Sequence, residues 1–218
     1  MTPGALLLDF GGVLTPSVGR QFRDFEQDHT LPKGTIFRAM AEAYGDGGDD
    51  SDIARLERGE LPVTDFEARL AASFAQHGFD VPGDGLIARL FTRMRPDGRI
   101  WEATRRLRGA GVATAVLSNS WGVDAYPQEL MADYFDDVVI SAEVGLRKPD
   151  PAIFRLAASR LEVPVEACVF VDDLDLNVAA ARALGLTAIH HDGDEDRVLG
   201  ELSEVFGVDV TDVGSLSR

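Results

Sequence analysis

Residues 5–12 read Ala-Leu-Leu-Leu-Asp-Phe-Gly-Gly and decide the fold class. A continuous apolar run is typical of a strand in a parallel sheet, where helices cover both faces. Asp9 follows this run directly, and Gly11 and Gly12 permit a tight turn after it. An acid at the end of a buried strand has no packing role, so we expect Asp9 to meet a cation or a reactive group. The carboxyl edge of such a sheet is where α/β proteins bind ligands.

Further short apolar segments alternate with helical patterns after residue 95. They are residues 112–117, 138–140, 169–171 and 187–189. Such alternation predicts a doubly wound parallel sheet, that is, an α/β fold with a Rossmann-like core. Residues typical of helix ends lie between these segments. Asp150 and Pro151 form a typical N-cap and first-turn pair, and Gly185 is typical of the residue that ends a helix.

Residues 17–95 show helical periodicity without strand patterns. Thr64 and Glu67 predict a capping box, and an apolar residue then recurs every four positions, as expected for one buried helix face. We therefore predict a small helical cap inserted after the first strand. The predicted domains are a core of residues 1–16 and 96–218 and a cap of residues 17–95.

The composition of the 218-residue chain excludes some classes of partner. With 37 acidic and 21 basic residues the net charge is −16. This charge repels nucleic acid and anionic membrane surfaces, so we expect neither as a partner. The single cysteine, Cys168, lies in an apolar run and is expected in the core. No targeting or membrane-spanning pattern occurs before Asp9, which favours a cytoplasmic protein. The sequence leaves the oligomeric state open.

Polar residues follow three further predicted strands. Ser118 and Asn119 end the second strand, Lys148 lies in the loop after the third, and Asp172 and Asp173 end the fourth. Ser118 and Asn119 fit a turn or a helix cap equally well, and a lone lysine is usually solvated. Two adjacent carboxylates are different, because they repel each other unless a cation neutralises them. A metal ion is the simplest such cation.

At one edge of the sheet these residues form a coherent phosphoryl-transfer site. Asp9 can act as the nucleophile and form an aspartyl-phosphate that water hydrolyses. Mg²⁺ can be held by Asp9, a backbone carbonyl of the same turn and the aspartate pair that ends the fourth strand. Ser118, the backbone N–H groups near Asn119 and the ammonium of Lys148 can bind the phosphate oxygens.

Four motifs carry a family resemblance: Asp-Phe-Gly-Gly-Val-Leu at 9–14, Leu-Ser-Asn-Ser-Trp at 117–121, Gly-Leu-Arg-Lys-Pro-Asp at 145–150 and Phe-Val-Asp-Asp at 170–173. In this order they resemble those of the haloacid dehalogenase-like hydrolases, in the branch that includes the phosphatase domain of soluble epoxide hydrolase. Leu-Glu-Arg-Gly-Glu at 56–60 looks like part of that branch's helical cap.

The resemblance covers nearly the whole chain and implies a magnesium-dependent phosphatase that acts on small phosphorylated molecules. It implies a Rossmann-like core and a mobile helical cap that closes over the site. It also implies that Asp173 is the direct metal ligand, with Asp172 acting beside it or through water.

Gly11 departs from the family pattern. Phosphatases of this family usually carry a second aspartate two residues after the nucleophile, which protonates the leaving group and later activates water. The backbone carbonyl of Gly11 can still bind magnesium, but glycine has no proton to give. General acid–base catalysis typically contributes about 10²–10⁴-fold, so we expect slow turnover of alkyl phosphates and a smaller loss for aryl and acyl phosphates.

Two other functions stay open. A 2-haloacid dehalogenase would use Asp9 without a metal or a leaving-group acid, which suits Gly11 but leaves Asp172 and Asp173 without a cation. A catalytically weak domain that binds a phosphorylated ligand or a protein partner would also tolerate Gly11. Retention of Asp9 and Lys148 argues against a pure binding domain, because binding needs no nucleophile.

The cap is expected to determine substrate specificity, and the sequence does not name the substrate. Arg20, Arg23 and Phe37 are candidate cap contacts. Trp121, which follows the second motif, either lines the entrance to the site or packs under the cap.

Overall fold

The structure is a computed structural model that describes residues 4–44, 48, 50–122 and 126–216. The elements in chain order are β1 (Ala5–Leu8), α1 (Val18–Asp28), α2 (Thr35–Tyr44), α3 (Asp52–Glu57), α4 (Val63–Gln76), α5 (Leu86–Leu90), α6 (Ile100–Gly109), β2 (Ala113–Ser118), α7 (Gln128–Tyr134), β3 (Asp137–Ile140), α8 (Ser141–Val144), α9 (Pro151–Arg160), β4 (Cys168–Asp172), α10 (Asp175–Ala183), β5 (Thr187–His190) and α11 (Glu195–Phe206).

The five strands form one parallel sheet in the order β3-β2-β1-β4-β5, which confirms the predicted Rossmann-like α/β fold. β1 is central, and Leu8 pairs with Val116 of β2 and with Val171 of β4. The residues that follow this pairing on β1 and β4 are Asp9 and Asp172. The register therefore brings two acids side by side at the carboxyl edge of the sheet.

The apolar run of β1 is buried on both faces of the sheet. Leu6 and Leu8 pack into a cluster with α6, α7 and α11, whereas Ala5 and Leu7 pack against α9 and α10. Successive side chains of a strand point to opposite faces, so a centrally placed strand needs an apolar residue at every position. Cys168 belongs to the second cluster and is buried, as predicted.

Helices α1 to α5 pack around a hydrophobic cluster of their own that includes Phe22, Ile36, Phe66 and Phe74. They lie between β1 and α6 in the chain, where the cap was predicted. The separate cluster supports a separately packed insertion, and its exact limits, residues 17–95, stay a prediction. No helix within the described ranges is both long and apolar enough to cross a membrane.

The predicted capping box at the start of α4 is wrong. Pro62 precedes the helix, and no side chain caps its first turn. Glu67 is buried and accepts a hydrogen bond from the backbone N–H of Ile87 at 2.9 Å, at the start of α5. The carboxylate thus accepts from an N–H in the first turn of α5 instead of one in the first turn of α4. This tertiary contact replaces the capping box that the local sequence predicted.

Candidate active site

Asp9 lies at the tip of β1 and is buried, with 7% of its surface exposed. Its Oδ1 accepts a hydrogen bond from the backbone N–H of Phe10 at 2.7 Å and lies 2.8 Å from the Nζ of Lys148. The backbone N–H of Asp9 bonds to the carbonyl of Val171 at 2.9 Å, which continues the pairing of β1 with β4. Strand pairing therefore fixes where this carboxylate points.

Lys148 is almost fully buried between two carboxylates. Its Nζ lies 2.7 Å from Oδ2 of Asp172 and 2.8 Å from Asp9. Asn177 donates to both Asp172 oxygens at 3.0 and 3.1 Å, and the backbone N–H of Leu174 donates to Oδ1 at 2.8 Å. Both oxygens of Asp172 are therefore held by donors of the protein, and Asp172 in turn holds the ammonium beside Asp9.

Asp173 lies in the same cluster but makes fewer contacts. No side chain in the described part of the chain donates a hydrogen bond to its carboxylate. Gly12 comes very close to it, since a Cβ at Gly12 would lie 2.2 Å from Oδ2 of Asp173. Gly12 also has a φ of +87°, a conformation that suits only glycine. Glycine at position 12 thus allows the turn after β1 to pass beside Asp173.

Three carboxylates surround one ammonium, and the pKa values reflect this excess of negative charge. Burial raises the pKa of Asp9 to about 8; Lys148 lowers it, and Asp172 and Asp173 raise it further. Burial, followed by the charge of Asp172, raises the pKa of Asp173 to about 6. Burial lowers the pKa of Lys148, but Asp172 and Asp9 outweigh it and hold that pKa above its ordinary value. The ammonium therefore stays charged, and the site needs more positive charge.

The donor set fits a divalent cation such as Mg²⁺. Asp9, Asp172 and Asp173 each offer an oxygen, and these oxygens lie within 4.8 Å of one another. Carboxylate and carbonyl oxygens are the ligands that Mg²⁺ prefers. Because both oxygens of Asp172 already accept hydrogen bonds, Asp173 is the more available metal ligand of the adjacent pair.

The two residues that end β2 also lie at the site. The hydroxyl of Ser118 is 2.9 Å from the hydroxyl of Tyr126, so either oxygen can be the donor. The side chain of Asn119 accepts from the backbone N–H of Lys148 at 2.8 Å and donates to the carbonyl of Lys148 at 3.0 Å. The turn after β2 thus holds the loop that carries Lys148.

Glu57 ends α3 and is buried, and no sequence motif predicted a role for it at the site. Its Oε2 accepts hydrogen bonds from Nε of Arg147 at 2.6 Å and from Nδ2 of Asn119 at 3.3 Å. Its backbone carbonyl accepts from the hydroxyl of Ser141 at 2.5 Å. Burial raises the pKa of Glu57, although Arg147 opposes the shift. Glu57 therefore joins the inserted helices to the loop that carries Lys148.

A cavity of about 820 Å³ opens above these polar residues. Asp9, Ser118, Lys148 and Asp173 lie at its polar end. Most of the remaining wall is apolar and comes from the inserted helices, including the side chain of Phe37. The other two candidate cap contacts, Arg20 and Arg23, are not among the residues that line it.

Trp121 fulfils both of the roles considered for it. It lines the cavity, and it packs under the inserted helices against Phe22, Phe66 and Phe91.

The protein is thus an α/β protein with a carboxylate–lysine cluster at the carboxyl edge of its parallel sheet, beside a cavity. Residues 3–185 match the family described as haloacid dehalogenase-like hydrolase, and the chain belongs to this family. The resemblance noted in the four motifs is therefore confirmed.

Three similar proteins align with different shares of the chain. The mouse protein Acyl-CoA dehydrogenase family member 10 is 33% identical over 210 residues, which are 93% of this chain and 19% of that protein. Bifunctional epoxide hydrolase 2 of Sus scrofa is 29% identical over 230 residues, 97% of this chain and 40% of that protein. Sesquiterpene phosphatase astK of Aspergillus oryzae is 30% identical over 143 residues, 62% of this chain and 70% of that protein. The chain spans less than half the length of the first two.

Solved structures share the fold. A HAD family enzyme, bt-2542, from Bacteroides thetaiotaomicron has a TM-score of 0.66 at 21% identity, covering 91% of this chain and 98% of that one. The L-2-haloacid dehalogenase RSc1362 has a TM-score of 0.66 at 18% identity, covering 87% of this chain and 86% of that one. At these identities the likeness concerns the fold.

Proposed function

We propose that the protein is a magnesium-dependent phosphatase that hydrolyses a small phosphorylated molecule through an aspartyl-phosphate on Asp9. The observation that carries the proposal is the buried carboxylate of Asp9 at the polar end of the cavity, paired with Lys148 and flanked by two further carboxylates. A relative named as a sesquiterpene phosphatase supports the same reaction class. We also infer a cytoplasmic location, which the single buried cysteine supports.

Asp9 attacks through the oxygen that the protein leaves available. Oδ1 accepts hydrogen bonds from Phe10 and Lys148, so we assign the attack on phosphorus to Oδ2. The new Oδ2–P bond forms as the ester P–O bond breaks, and the alcohol leaves with a proton taken from solvent. Water then attacks the aspartyl-phosphate, inorganic phosphate is released and the carboxylate of Asp9 is regenerated.

The remaining residues bind the phosphate and the proposed metal. Lys148, the hydroxyl of Ser118 and the backbone N–H groups near Asn119 bind the non-bridging oxygens, where negative charge develops. The proposed metal ligands are Asp9, the backbone carbonyl of Gly11 and Asp173, with Asp172 beside them or acting through water. When bound by these residues, Mg²⁺ would supply positive charge that offsets the repulsion between the carboxylate of Asp9 and the phosphate.

Hydrolysis of p-nitrophenyl phosphate tests this proposal, because its leaving group needs little help from an acid. We expect turnover that requires Mg²⁺ and is lost in Asp9→Asn. Asp175→Asn is the matched control, since this side chain is 90% exposed and is not part of the cavity wall. Substantial magnesium-dependent turnover in Asp9→Asn would exclude the aspartyl-phosphate mechanism.

Dehalogenation of a 2-haloacid is the second candidate, and Gly11 is the observation that favours it. Asp9 would then displace the halide without any leaving-group acid. The charge balance opposes this reaction, because Asp9, Asp172 and Asp173 share one ammonium before an anionic substrate arrives. Release of chloride from 2-chloropropionate without Mg²⁺, together with no turnover of p-nitrophenyl phosphate, would favour the dehalogenase.

The third candidate is a catalytically weak domain that binds a phosphorylated ligand or a protein partner. It is supported if neither substrate class turns over while inorganic phosphate still binds in the presence of Mg²⁺.

A further inference from the structure

We propose that the substrate is the phosphate monoester of a long, apolar alcohol, whose hydrocarbon chain occupies the part of the cavity formed by the inserted helices. The inference rests on the proposed phosphatase function and names its substrate class.

The cavity is much larger than a phosphate group requires. Its volume of about 820 Å³ falls in the upper part of the usual range for ligand pockets, roughly 300–1,000 Å³. The groups that bind phosphate occupy only the end formed by β1, β2 and β4. The rest of the volume must accommodate the leaving alcohol.

The wall around this remaining volume is aromatic. The ring of Phe22 lies 5.4 Å from Phe37, 6.3 Å from Phe91 and 6.0 Å from Trp121, measured between ring centroids. Phe91 and Trp121 meet edge to face at 5.3 Å. These rings offer apolar surface to a ligand, and the side chain of Met40 can adapt its shape to it.

The wall gives a polar alcohol few partners. Lys148 is the only basic residue among the described residues that line the cavity, and it is held by Asp9 and Asp172. Glu57 and Glu67 also line the cavity, but their carboxylates already accept hydrogen bonds from the protein. The hydroxyls of a sugar phosphate would lose water without gaining enough partners, which disfavours their binding.

The mouth of the cavity is apolar as well. Among the described residues, the large hydrophobic side chains that are strongly exposed are Phe37, Leu174 and Leu176, and the first two line this cavity. Phe37 is 47% and Leu174 55% exposed. Exposed apolar side chains that also line a cavity are typical of a surface that a ligand covers.

The test is the binding of alkylphosphonates, which the enzyme cannot hydrolyse at the P–C bond. Titration calorimetry in the presence of Mg²⁺ compares ethylphosphonate, octylphosphonate and the phosphonate analogue of a hexitol phosphate. We expect octylphosphonate to bind on the order of 100-fold more tightly than ethylphosphonate, because each buried methylene adds to affinity. The hexitol phosphonate is expected to bind no better than ethylphosphonate. Equal affinity for the two alkylphosphonates, or a preference for the hexitol phosphonate, would overturn the inference.

Two serine substitutions test where the hydrocarbon chain of the ligand binds in the protein. Phe37→Ser removes a cavity side chain and is expected to weaken octylphosphonate about tenfold while affecting ethylphosphonate far less. Leu176→Ser is the control, since Leu176 is 67% exposed and lies outside the cavity wall. It should leave both affinities unchanged. Two outcomes would contradict the proposed position of the hydrocarbon chain. One is an equal loss of affinity for both ligands in Phe37→Ser, and the other is a similar loss of octylphosphonate affinity in Leu176→Ser.

Failure of this inference is distinguishable from failure of the proposed function. If p-nitrophenyl phosphate is hydrolysed but affinity does not depend on chain length, the phosphatase stands and the substrate class is wrong. If affinity rises with chain length but no phosphate ester turns over, the apolar site stands and the catalytic proposal is wrong.

Discussion

Gly11 is the residue whose replacement gives the sharpest test of the chemistry. Its backbone φ is not in the left-handed region, so the turn does not require glycine there. A Cβ at this position would lie 3.5 Å from Cγ2 of Val18 and 3.7 Å from Cε of Met94, which are ordinary contacts. An acidic side chain can therefore be introduced at the start of the cavity without rearranging the turn.

We predict that Gly11→Asp raises kcat for alkyl phosphates by about 10²-fold, because the new carboxyl group can protonate the leaving alcohol. Turnover of p-nitrophenyl phosphate should gain less, since its leaving group needs no proton and only hydrolysis of the aspartyl-phosphate can benefit. Gly11→Asn is the control of similar size without an acid and should give no gain. Steady-state kinetics on octyl phosphate and p-nitrophenyl phosphate measure both effects. Equal rates for the two variants on octyl phosphate would show that the missing acid does not limit turnover.

Substitution of Gly12 is expected to lower turnover, in contrast to the gain predicted for Gly11→Asp. Gly12→Ala places a Cβ within 2.2 Å of the Asp173 carboxylate and should abolish magnesium-dependent turnover by displacing that ligand. Gly78→Ala is the matched control, because Gly78 has a similar φ of +84° but no atom within 4 Å of its Cβ position. Both variants should lose about 1–2 kcal/mol of stability from the positive φ. Urea unfolding measures the loss of stability, and the turnover assay measures the loss of activity. Full activity in Gly12→Ala would contradict the close approach of Gly12 to the carboxylate of Asp173.

Among the secondary-structure elements, α3 makes the contact that the sequence could not reveal. Glu57 bonds to Arg147 and Asn119, which follow β3 and β2 much later in the chain. The side chain of Arg147 is only 16% exposed, and that of Glu57 5%. Removing one partner of such a pair leaves a buried charge without compensation.

We predict that Arg147→Leu lowers the free energy of unfolding by about 3 kcal/mol, because Glu57 then stays buried without its cation. Adding Glu57→Gln should restore more than half of the loss, since the neutral amide no longer needs a cation. Urea unfolding measures both changes. Arg105→Leu is the control, because Arg105 pairs with Glu102 at the surface with its own side chain 65% exposed, and it should cost much less. Additive effects of the two substitutions would exclude the coupling.

The sequence predicted the sheet and the residues at its edge because each strand carries its own local pattern. The predicted strands end within one or two residues of those observed, and Asp9, Ser118, Lys148 and Asp173 meet at one cavity, as parallel strand ends should. Glu57 was missed because its role depends on how the inserted helices dock onto the core. The wrong capping box of Glu67 has the same cause, since the N–H that it binds belongs to another helix.

For the molecule as a whole, negative charge is the main electrostatic constraint. The chain carries a net charge of −16, and its deepest site holds three carboxylates around one lysine. At this site, Lys148 and the proposed metal would create the local positive field that a phosphate needs. Without the metal, one or more of these carboxylates should remain protonated at neutral pH, as the raised pKa of Asp9 indicates.

This leads to a prediction about stability and pH in the absence of metal. The pKa of Asp9 is about 8 in the folded protein and near its ordinary value of 3.8 when unfolded. The unfolded state therefore releases this proton first, and the stabilisation present below pH 3.8 is lost as pH rises towards about 8. Between these values, wild-type stability in a chelator should fall steadily relative to Asp9→Asn as the pH rises.

Urea unfolding of wild type and Asp9→Asn at a series of pH values, in EDTA, measures this difference. The comparison is needed because other groups titrate in the same range: burial raises the pKa of Asp173 to about 6 and lowers that of His191. Both proteins contain those groups, so the difference in free energy reports the Asp9 carboxyl together with its electrostatic coupling to Asp172, Asp173 and Lys148. Adding Mg²⁺ should stabilise the wild type at high pH, because the ionised carboxylate binds the cation, and should stabilise Asp9→Asn less. If the free energies of unfolding of wild type and Asp9→Asn instead change equally with pH, Asp9 is ionised in the folded protein throughout this range. Lys148 alone would then be sufficient to balance its charge.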